Sequence, residues 1–194
     1  MNDLSEKLRG NPIIAAIKEN ESLSAAIASP CKVLFLLKGD ICTVENIVKQ
    51  ARNAGKSIYL HLDLMDGFGK DKYALQYIKE RIVPSGIITT RASLIKIAKE
   101  LNITVIQRVF LIDNLSFETG VQSLRQIKPD AVEILPGIMP PITKKMCQLI
   151  TIPVITGGLI NEKKDIVNSL KAGAVGVSTS SAKMWVLGDE VTHS

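Results

Sequence analysis

The chain has 194 residues, 46% of them apolar, and a formal charge of 24 − 19 = +5. That length suits a single domain over residues 1–194, with a core large enough to need no disulfide or metal staple, and the apolar content excludes disorder. The apolar run Val33 to Leu37 has five residues, where a membrane-spanning helix needs roughly twenty, so no membrane partner is expected.

The opening Met1-Asn2-Asp3-Leu4-Ser5-Glu6-Lys7 is polar and mixed in charge, unlike a secretory signal. Cys31, Cys42 and Cys147 form no close pair, and His61 and His193 are the only histidines. A cytoplasmic location, no metal site and no resident cofactor are the expectations.

In chain order, residues 4–28 read as one or two helices around Pro12. Val33 to Leu37 is a short continuous apolar run, the pattern of a strand buried on both faces. Val44, Ile47, Val48 and Ala51 then recur at helical spacing, closed by Ala54-Gly55. The alternation continues with a strand over Ile58–Asp63, a helix marked by Ala74, Tyr77, Ile78 and Ile82, and a strand over Gly86–Thr90. A helix carrying Leu94, Ile97, Ala98 and Leu101 follows, then a strand over Thr104–Val109 and a helix with Phe117, Val121 and Leu124. Ala131–Leu135 is a strand, Pro141–Leu149 a helix, Pro153–Thr156 a strand, and Asn161 caps a helix with Ile166, Val167 and Leu170. Ala174–Ser178 is the last strand and Ser181–Leu187 a last short helix.

Seven such units define an α/β protein with a parallel sheet. The choice lies between an open doubly wound sheet and a closed barrel. Polar residues finish nearly every predicted strand: Lys38 and Asp40, His61 and Asp63, Thr89 and Arg91, Gln107 and Arg108, Glu133, Thr156, and Ser178 with Thr179. A barrel gathers its site from the ends of many strands, whereas an open sheet gathers it at one switch point. The prediction is a compact TIM-like (β/α) barrel of seven parallel strands with an N-terminal helical segment.

Alternation puts Leu60, Leu62 and Leu64 on one face, so His61 and Asp63 share the other and point into the barrel. Glu133, between Val132 and Ile134, does the same. The sharpest local signal is Thr156-Gly157-Gly158-Leu159 together with Ser178-Thr179-Ser180. Glycine lets backbone amides approach an anion, and the loops after the last two strands are the usual phosphate site of such barrels. Gly157, Gly158, Ser178, Thr179 and Ser180 are the candidate phosphate contacts. Asp63, Gln107, Glu133, Thr156 and Arg91 are the candidate polar contacts to the rest of a ligand. Met65 to Lys72 is a glycine-containing basic loop suited to close over a ligand or touch an anionic partner.

His61-Leu62-Asp63-Leu64 with Gly67-Phe68-Gly69-Lys70-Asp71, Gly86-Ile87-Ile88-Thr89-Thr90, and Gln107-Arg108-Val109-Phe110-Leu111-Ile112-Asp113 match a family in order and spacing. So do Pro129 to Gly137 with Pro140, Gly157-Gly158-Leu159-Ile160, and Val177-Ser178-Thr179-Ser180. From about residue 8 to Leu187 the chain resembles the glycerol-3-phosphate-responsive antiterminators, the glycerol uptake operon antiterminator regulatory proteins. It departs mildly at Asp66, Phe68, Arg91 and Thr156, where the family more often has glutamate, leucine, lysine and alanine.

The resemblance implies a regulator that binds glycerol 3-phosphate and acts on the leader messenger RNA of glycerol catabolic genes, letting transcription pass a terminator. No catalytic residues are assigned, since no Ser/His/Asp or Cys/His set is evident and Thr156 stands where a Schiff-base lysine would, and a homo-oligomer is left open. The RNA-binding residues are not fixed by any motif; Lys70 with Lys72, Lys144 with Lys145, and Lys163 with Lys164 are the candidate groups. The alternative is a phosphate-binding barrel enzyme acting on a small phosphorylated substrate, with His61, Asp63, Glu133, Lys38 and Arg108 as its acid and base groups.

Overall fold

A computed structural model describes residues 3–18 and 22–192. Eight parallel strands close into a barrel. They are β1 (Ile13–Ile17), β2 (Val33–Leu36), β3 (Ser57–His61), β4 (Gly86–Thr89), β5 (Val105–Phe110), β6 (Ala131–Leu135), β7 (Val154–Gly157) and β8 (Gly176–Thr179). Neighbours in sequence are neighbours in the sheet, and β1 closes the ring by pairing with both β8 and β2. The helices are α1 (Asp3–Gly10), α2 (Leu23–Ala28), α3 (Val44–Asn53), α4 (Lys72–Tyr77), α5 (Ala92–Glu100), α6 (Asn114–Ile127), α7 (Pro140–Leu149), α8 (Lys163–Lys171) and α9 (Gly188–Thr192). His193 lies outside the described residues.

The strand count corrects the expectation of seven. The eighth is β1, in the segment read as helical. Ile13-Ile14-Ala15-Ala16-Ile17 is buried at every position. A continuous apolar run has no period to distinguish a doubly buried strand from a buried helix, and Ala15-Ala16 favours helix locally. Tertiary pairing decides: Ile14 lies beside both Val33 and Ser178, and without this strand the ring stays open. Only α1 and α2 remain of the N-terminal helical segment.

Alternation divides the strand side chains into two layers. Ile14, Ala16, Val33, Phe35, Tyr59, Ile88, Ile106, Ala131 and Ile155 form one buried cluster inside the barrel. Leu4 and Leu8 of α1 join it, so α1 plugs the end where strands begin. The plug is tight at Gly176, where a Cβ would lie 3.0 Å from Leu8. The opposite faces, including Leu34, Leu60, Ile87, Val105 and Val177, pack under the helices.

Three boundaries differ from expectation. β3 stops at His61, and Leu62–Leu64 is a 3₁₀ turn, so Asp63 stands on the rim, not on the strand. α8 is capped by Glu162, whose amide and that of Asn161 donate to Asp165 Oδ2. The predicted last helix is a 3₁₀ turn over Ala182–Met184, followed by α9. The loop from Met65 to Lys72 is tied down. Met65–Asp66 pairs with Gly39–Asp40 in a small parallel ladder, and Asp71 caps α4 by accepting from Tyr73 N and Ala74 N at 2.9 Å. The Lys70 ammonium folds back onto the carbonyls of Leu62 and Met65.

Candidate functional site

The open end of the barrel, where strands finish, holds a cavity of about 640 Å³. Its floor is polar and buried. Arg108 of β5 follows Ile106 on the inward face, and Glu133 of β6 follows Ala131. Their side chains are 8% and 1% exposed, and Arg108 Nε donates to Glu133 Oε2 at 2.7 Å. Ser178 of β8 donates to the other oxygen, Oε1, at 2.5 Å. Glu133 thus crosses over β7 to reach β8. It can do so because Gly157 lies between: a Cβ there would stand 2.5 Å from Glu133 Oε1. A buried carboxylate needs such partners, since ionised groups without them are costly.

The guanidinium is only half engaged. Nε is bonded to Glu133, and the two terminal nitrogens have no protein partner among the described residues. Arg108 lines the cavity, as does the exposed Lys18 just past β1. The site is therefore a neutral ion pair with unused cationic donors, plus one further cation at its lip.

The wall is built by the loops after β6, β7 and β8. Gly137 N donates to Gly158 O, and Ser169 of α8 donates to Gly137 O at 3.1 Å. Thr179 Oγ1 donates to Ile160 O at 2.8 Å and accepts from Ser181 N, while Trp185 Nε1 donates to Thr179 O at 2.8 Å. Gly158 has φ +76° and Leu159 φ +61°. Glycine adopts that left-handed turn freely, whereas Leu159 does so at a cost, with its carbonyl accepting from Asn161 Nδ2.

Of the ten residues expected at the ligand, the cavity brings Glu133, Gly158, Ser178, Thr179 and Ser180 together. Gly157 lies directly beneath, as the gap through which Glu133 passes. The Thr179 hydroxyl is engaged with the wall. Asp63 and Arg91 sit apart on the rim. Asp63 accepts from Thr89 Oγ1, Thr90 N and Thr90 Oγ1, and lies 3.4 Å from Arg91 Nε. Burial pushes its carboxyl up, but those hydrogen bonds prevail and hold it below the usual range. Gln107 and Thr156 face the helices instead. Gln107 shares its face with Val105 and Val109, and its amide donates to Ser123 of α6 at 3.1 Å. Thr156 alternates with the inward Ile155 and is wholly buried. Lys18 and Asn161 line the cavity without having been expected there, and Arg108, expected at a strand end and as a group of the enzyme alternative but not as a contact of the effector, lines it too. For Arg108 the signal was present: Ile106, Arg108 and Phe110 share one face of their strand.

His61 points inward, as its alternation with Leu60 predicts, and lies below the cavity. It is 3% exposed, and neither ring nitrogen has a partner. Burial and the nearby Arg108 charge push its pKa down to about 4, with Lys70 adding to and Asp63 opposing the shift. The imidazole is thus neutral in the fold and titrates near 6.5 in the unfolded chain. The unfolded state binds more protons between those values, so stability rises with pH through this window. It is complete above about pH 6.5 and is lost as pH falls toward 4. The difference amounts to up to roughly 3 kcal/mol. Urea unfolding from pH 4 to 7 should show that dependence in the wild type and a flatter profile in His61→Leu; parallel profiles would mean that His61 is not the source.

Known proteins supply the comparison. The profile described as "Glycerol-3-phosphate responsive antiterminator" matches residues 13–185. The uncharacterized protein YgcP of Escherichia coli (strain K12) is 41% identical over 180 residues, covering 93% of this chain and 94% of its own. The crystal structure of the glycerol uptake operon antiterminator regulatory protein from Listeria monocytogenes superposes with TM-score 0.85 at 35% identity, over 89% of this chain and 94% of that one. A related protein from Thermotoga maritima gives TM-score 0.79 at 28% identity, over 90% and 98%. An aldolase at 13% identity and TM-score 0.72, covering 98% of this chain and 96% of its own, shares the barrel fold alone. The profile spans β1 through Trp185, every strand of the barrel and every wall of the cavity, and on that extent the chain belongs to the glycerol-3-phosphate responsive antiterminator family.

Proposed function

We propose that the protein senses glycerol 3-phosphate at the barrel mouth and, in response, acts on the leader RNA of glycerol catabolic genes so that transcription passes a terminator. The observation that carries the effector reading is the half-engaged Arg108. A phosphate monoester brings about −1.5 to −2 charge near neutral pH and several strong acceptor oxygens. Arg108 offers it two unused terminal nitrogens, and Lys18 an exposed ammonium at the lip. Guanidinium is suited to such oxygens because its donors are planar and paired. Gly158 and Ser180, in the loops after β7 and β8, line the same cavity and would flank such an anion.

The remainder of the ligand is a diol, which needs acceptors. Each Glu133 oxygen already takes one hydrogen bond, and an ionised carboxylate has lone pairs for more. Control of transcription requires that the effector favour one state of the protein over another. A barrel enzyme acting on a phosphorylated substrate shares this fold, but fold alone does not favour that reading.

Isothermal calorimetry tests the site. Glycerol 3-phosphate should bind at least about 100-fold more tightly than either glycerol or inorganic phosphate, since each of those lacks one half of the contacts, and about 2.7 kcal/mol separates them at that ratio. Equal binding of all three, or binding of none, would end the proposal.

A further inference from the structure

We propose that the barrel face opposite the mouth, where strands begin and helices end, is the surface on which this protein docks RNA, holding its phosphate backbone. The inference deepens the reading above and rests on its claim that a transcript is the partner.

On the mouth half, four cations meet acids, while Lys18, Lys38, Lys72 and Lys183 stand exposed among many more carboxylates, Asp40, Asp66, Asp71, Asp113 and Asp165 included. Arg91 lies by Asp63, Arg108 bonds Glu133, Lys163 bonds Glu190 and Lys164 bonds Glu162, the last two at 2.8 Å. These pairs account for one of the three basic groups that the sequence offered for RNA. Lys70 of another is folded onto carbonyls, and Lys145 of the third lies over the Phe117 ring.

At the opposite end the partners are neutral. Lys79 Nζ donates to Leu101 O at 2.7 Å, Lys99 Nζ to Lys128 O at 2.6 Å, and Arg125 Nη2 to Leu149 O at 2.9 Å. Lys56 Nζ likewise donates to Ser29 O and Cys31 O. In the first three cases a cation from one helix caps the C-terminal end of the next helix around the ring. A helix C-terminus carries only about half a negative charge, so each such cation keeps a net positive field while being fixed in place. Lys32, Lys128 and Lys171 stand at the same end, exposed and without a side-chain bond among the described residues. Acids are present there too: Glu6, Glu80, Glu100 and Asp130, of which Asp130 turns one oxygen to Val105 N.

Charge outweighs apolar surface at this end, where the exposed large apolar side chains, Val83, Leu149 and Val175, are only 36–41% exposed, and that balance selects the class of partner. Protein interfaces bury an apolar core, whereas nucleic-acid interfaces are polar and strongly positive. The most exposed large apolar side chains, Ile112, Tyr73 and Leu115, stand on the mouth side. The ringed end suits a polyanion. It also leaves the effector cavity clear, so RNA and glycerol 3-phosphate do not compete for space.

The test places equal charge changes on the two ends. One triple variant carries Lys32→Glu, Lys128→Glu and Lys171→Glu; the other carries Lys38→Glu, Lys72→Glu and Lys183→Glu on the mouth side. The probe is a fluorescein-labelled RNA stem-loop with a 3′ uridine tract, followed by anisotropy across a salt series, with and without saturating glycerol 3-phosphate. Thermal melts verify folding, and glutamine versions of both triples serve if a glutamate triple unfolds. The opposite-face triple should lose at least about 10-fold in affinity, and its glutamine version should flatten the salt slope by about 2 to 3. The mouth-side triple should stay within about threefold of wild type, as expected for charges that make no phosphate contact. Binding lost equally in both, or more in the mouth-side triple, overturns the docking face alone. A wild type that binds the RNA in neither condition overturns the transcript reading and the face with it.

Discussion

Replacing Arg108 with methionine should cost about 3–5 kcal/mol of folding stability, because it removes one partner of a buried ion pair and strands the other. Glu133 is 1% exposed. Without Arg108 its carboxylate keeps only the Ser178 hydroxyl, and His61, the buried imidazole on the inner face of β3, is neutral. The double variant Arg108→Met with Glu133→Leu should regain most of the loss, since replacing both charges by apolar groups of similar volume removes the desolvation cost along with the attraction. Urea denaturation of the wild type, the single and the double variant measures both steps. Both variants should fail to bind glycerol 3-phosphate in calorimetry, so stability and binding separate in the double variant. A single variant within about 1 kcal/mol of wild type would mean that water already reaches Glu133.

This behaviour follows from features that were only partly legible in the sequence. Periodicity exposed the βα alternation, because the switch between helical spacing and continuous apolar runs repeats along the chain. It also placed His61 and Glu133 inside, because each sits between apolar neighbours that require the helix side. The same rule applied to Arg108 would have placed it beside Glu133. It was not decisive because a strand-end arginine is ordinarily free to reach solvent; register alone puts it opposite Glu133. Gln107 and Thr156 went to the helix side for the same reason of parity. Each is polar and near a strand end, yet each alternates with an inward apolar residue, Ile106 and Ile155. Pattern could not find β1, whose burial on both faces erases any period. Asp63 was placed inward by extending the alternation past His61, where the chain had already turned into a 3₁₀ bend.

Glycines show the same limit from another side. Gly158 was legible as a turn residue, and its φ of +76° bears that out. Gly157, its neighbour, has no such conformation and is part of β7. Nothing in its own backbone demands glycine. The demand comes from the hydrogen-bonded pair it lies under: the Ser178 hydroxyl, and Glu133, two residues past the start of the adjacent strand and 24 positions away in sequence, whose carboxylate must cross the gap to reach it.

That distinction makes Gly157→Ala the second large prediction. A methyl group at this position would collide with Ser178 Oγ and stand 2.5 Å from Glu133 Oε1, both well inside contact distance. The carboxylate cannot yield easily, since Arg108 holds one oxygen at 2.7 Å and Ser178 the other at 2.5 Å. Either the strand shifts or the hydrogen bond to Ser178 breaks, and overpacking of this kind costs about 1–3 kcal/mol. Breaking the bond also moves Glu133 and, through it, the guanidinium proposed to meet the phosphate. Affinity for glycerol 3-phosphate should therefore fall by at least about 10-fold, the change produced by 1.4 kcal/mol. Gly158→Ala separates this cause from a general intolerance of the loop. Its penalty comes from the left-handed backbone, about 1–2 kcal/mol, and its added methyl meets only the side chain of Leu135, at 3.1 Å. Urea denaturation should find both variants destabilised, while an infrared band for the Glu133 carboxylate, identified by its loss in Glu133→Gln, should shift only in Gly157→Ala. An unshifted band in Gly157→Ala, with effector affinity intact, would show that the barrel can accommodate the methyl group and that the crossing of Glu133 over β7 does not depend on glycine.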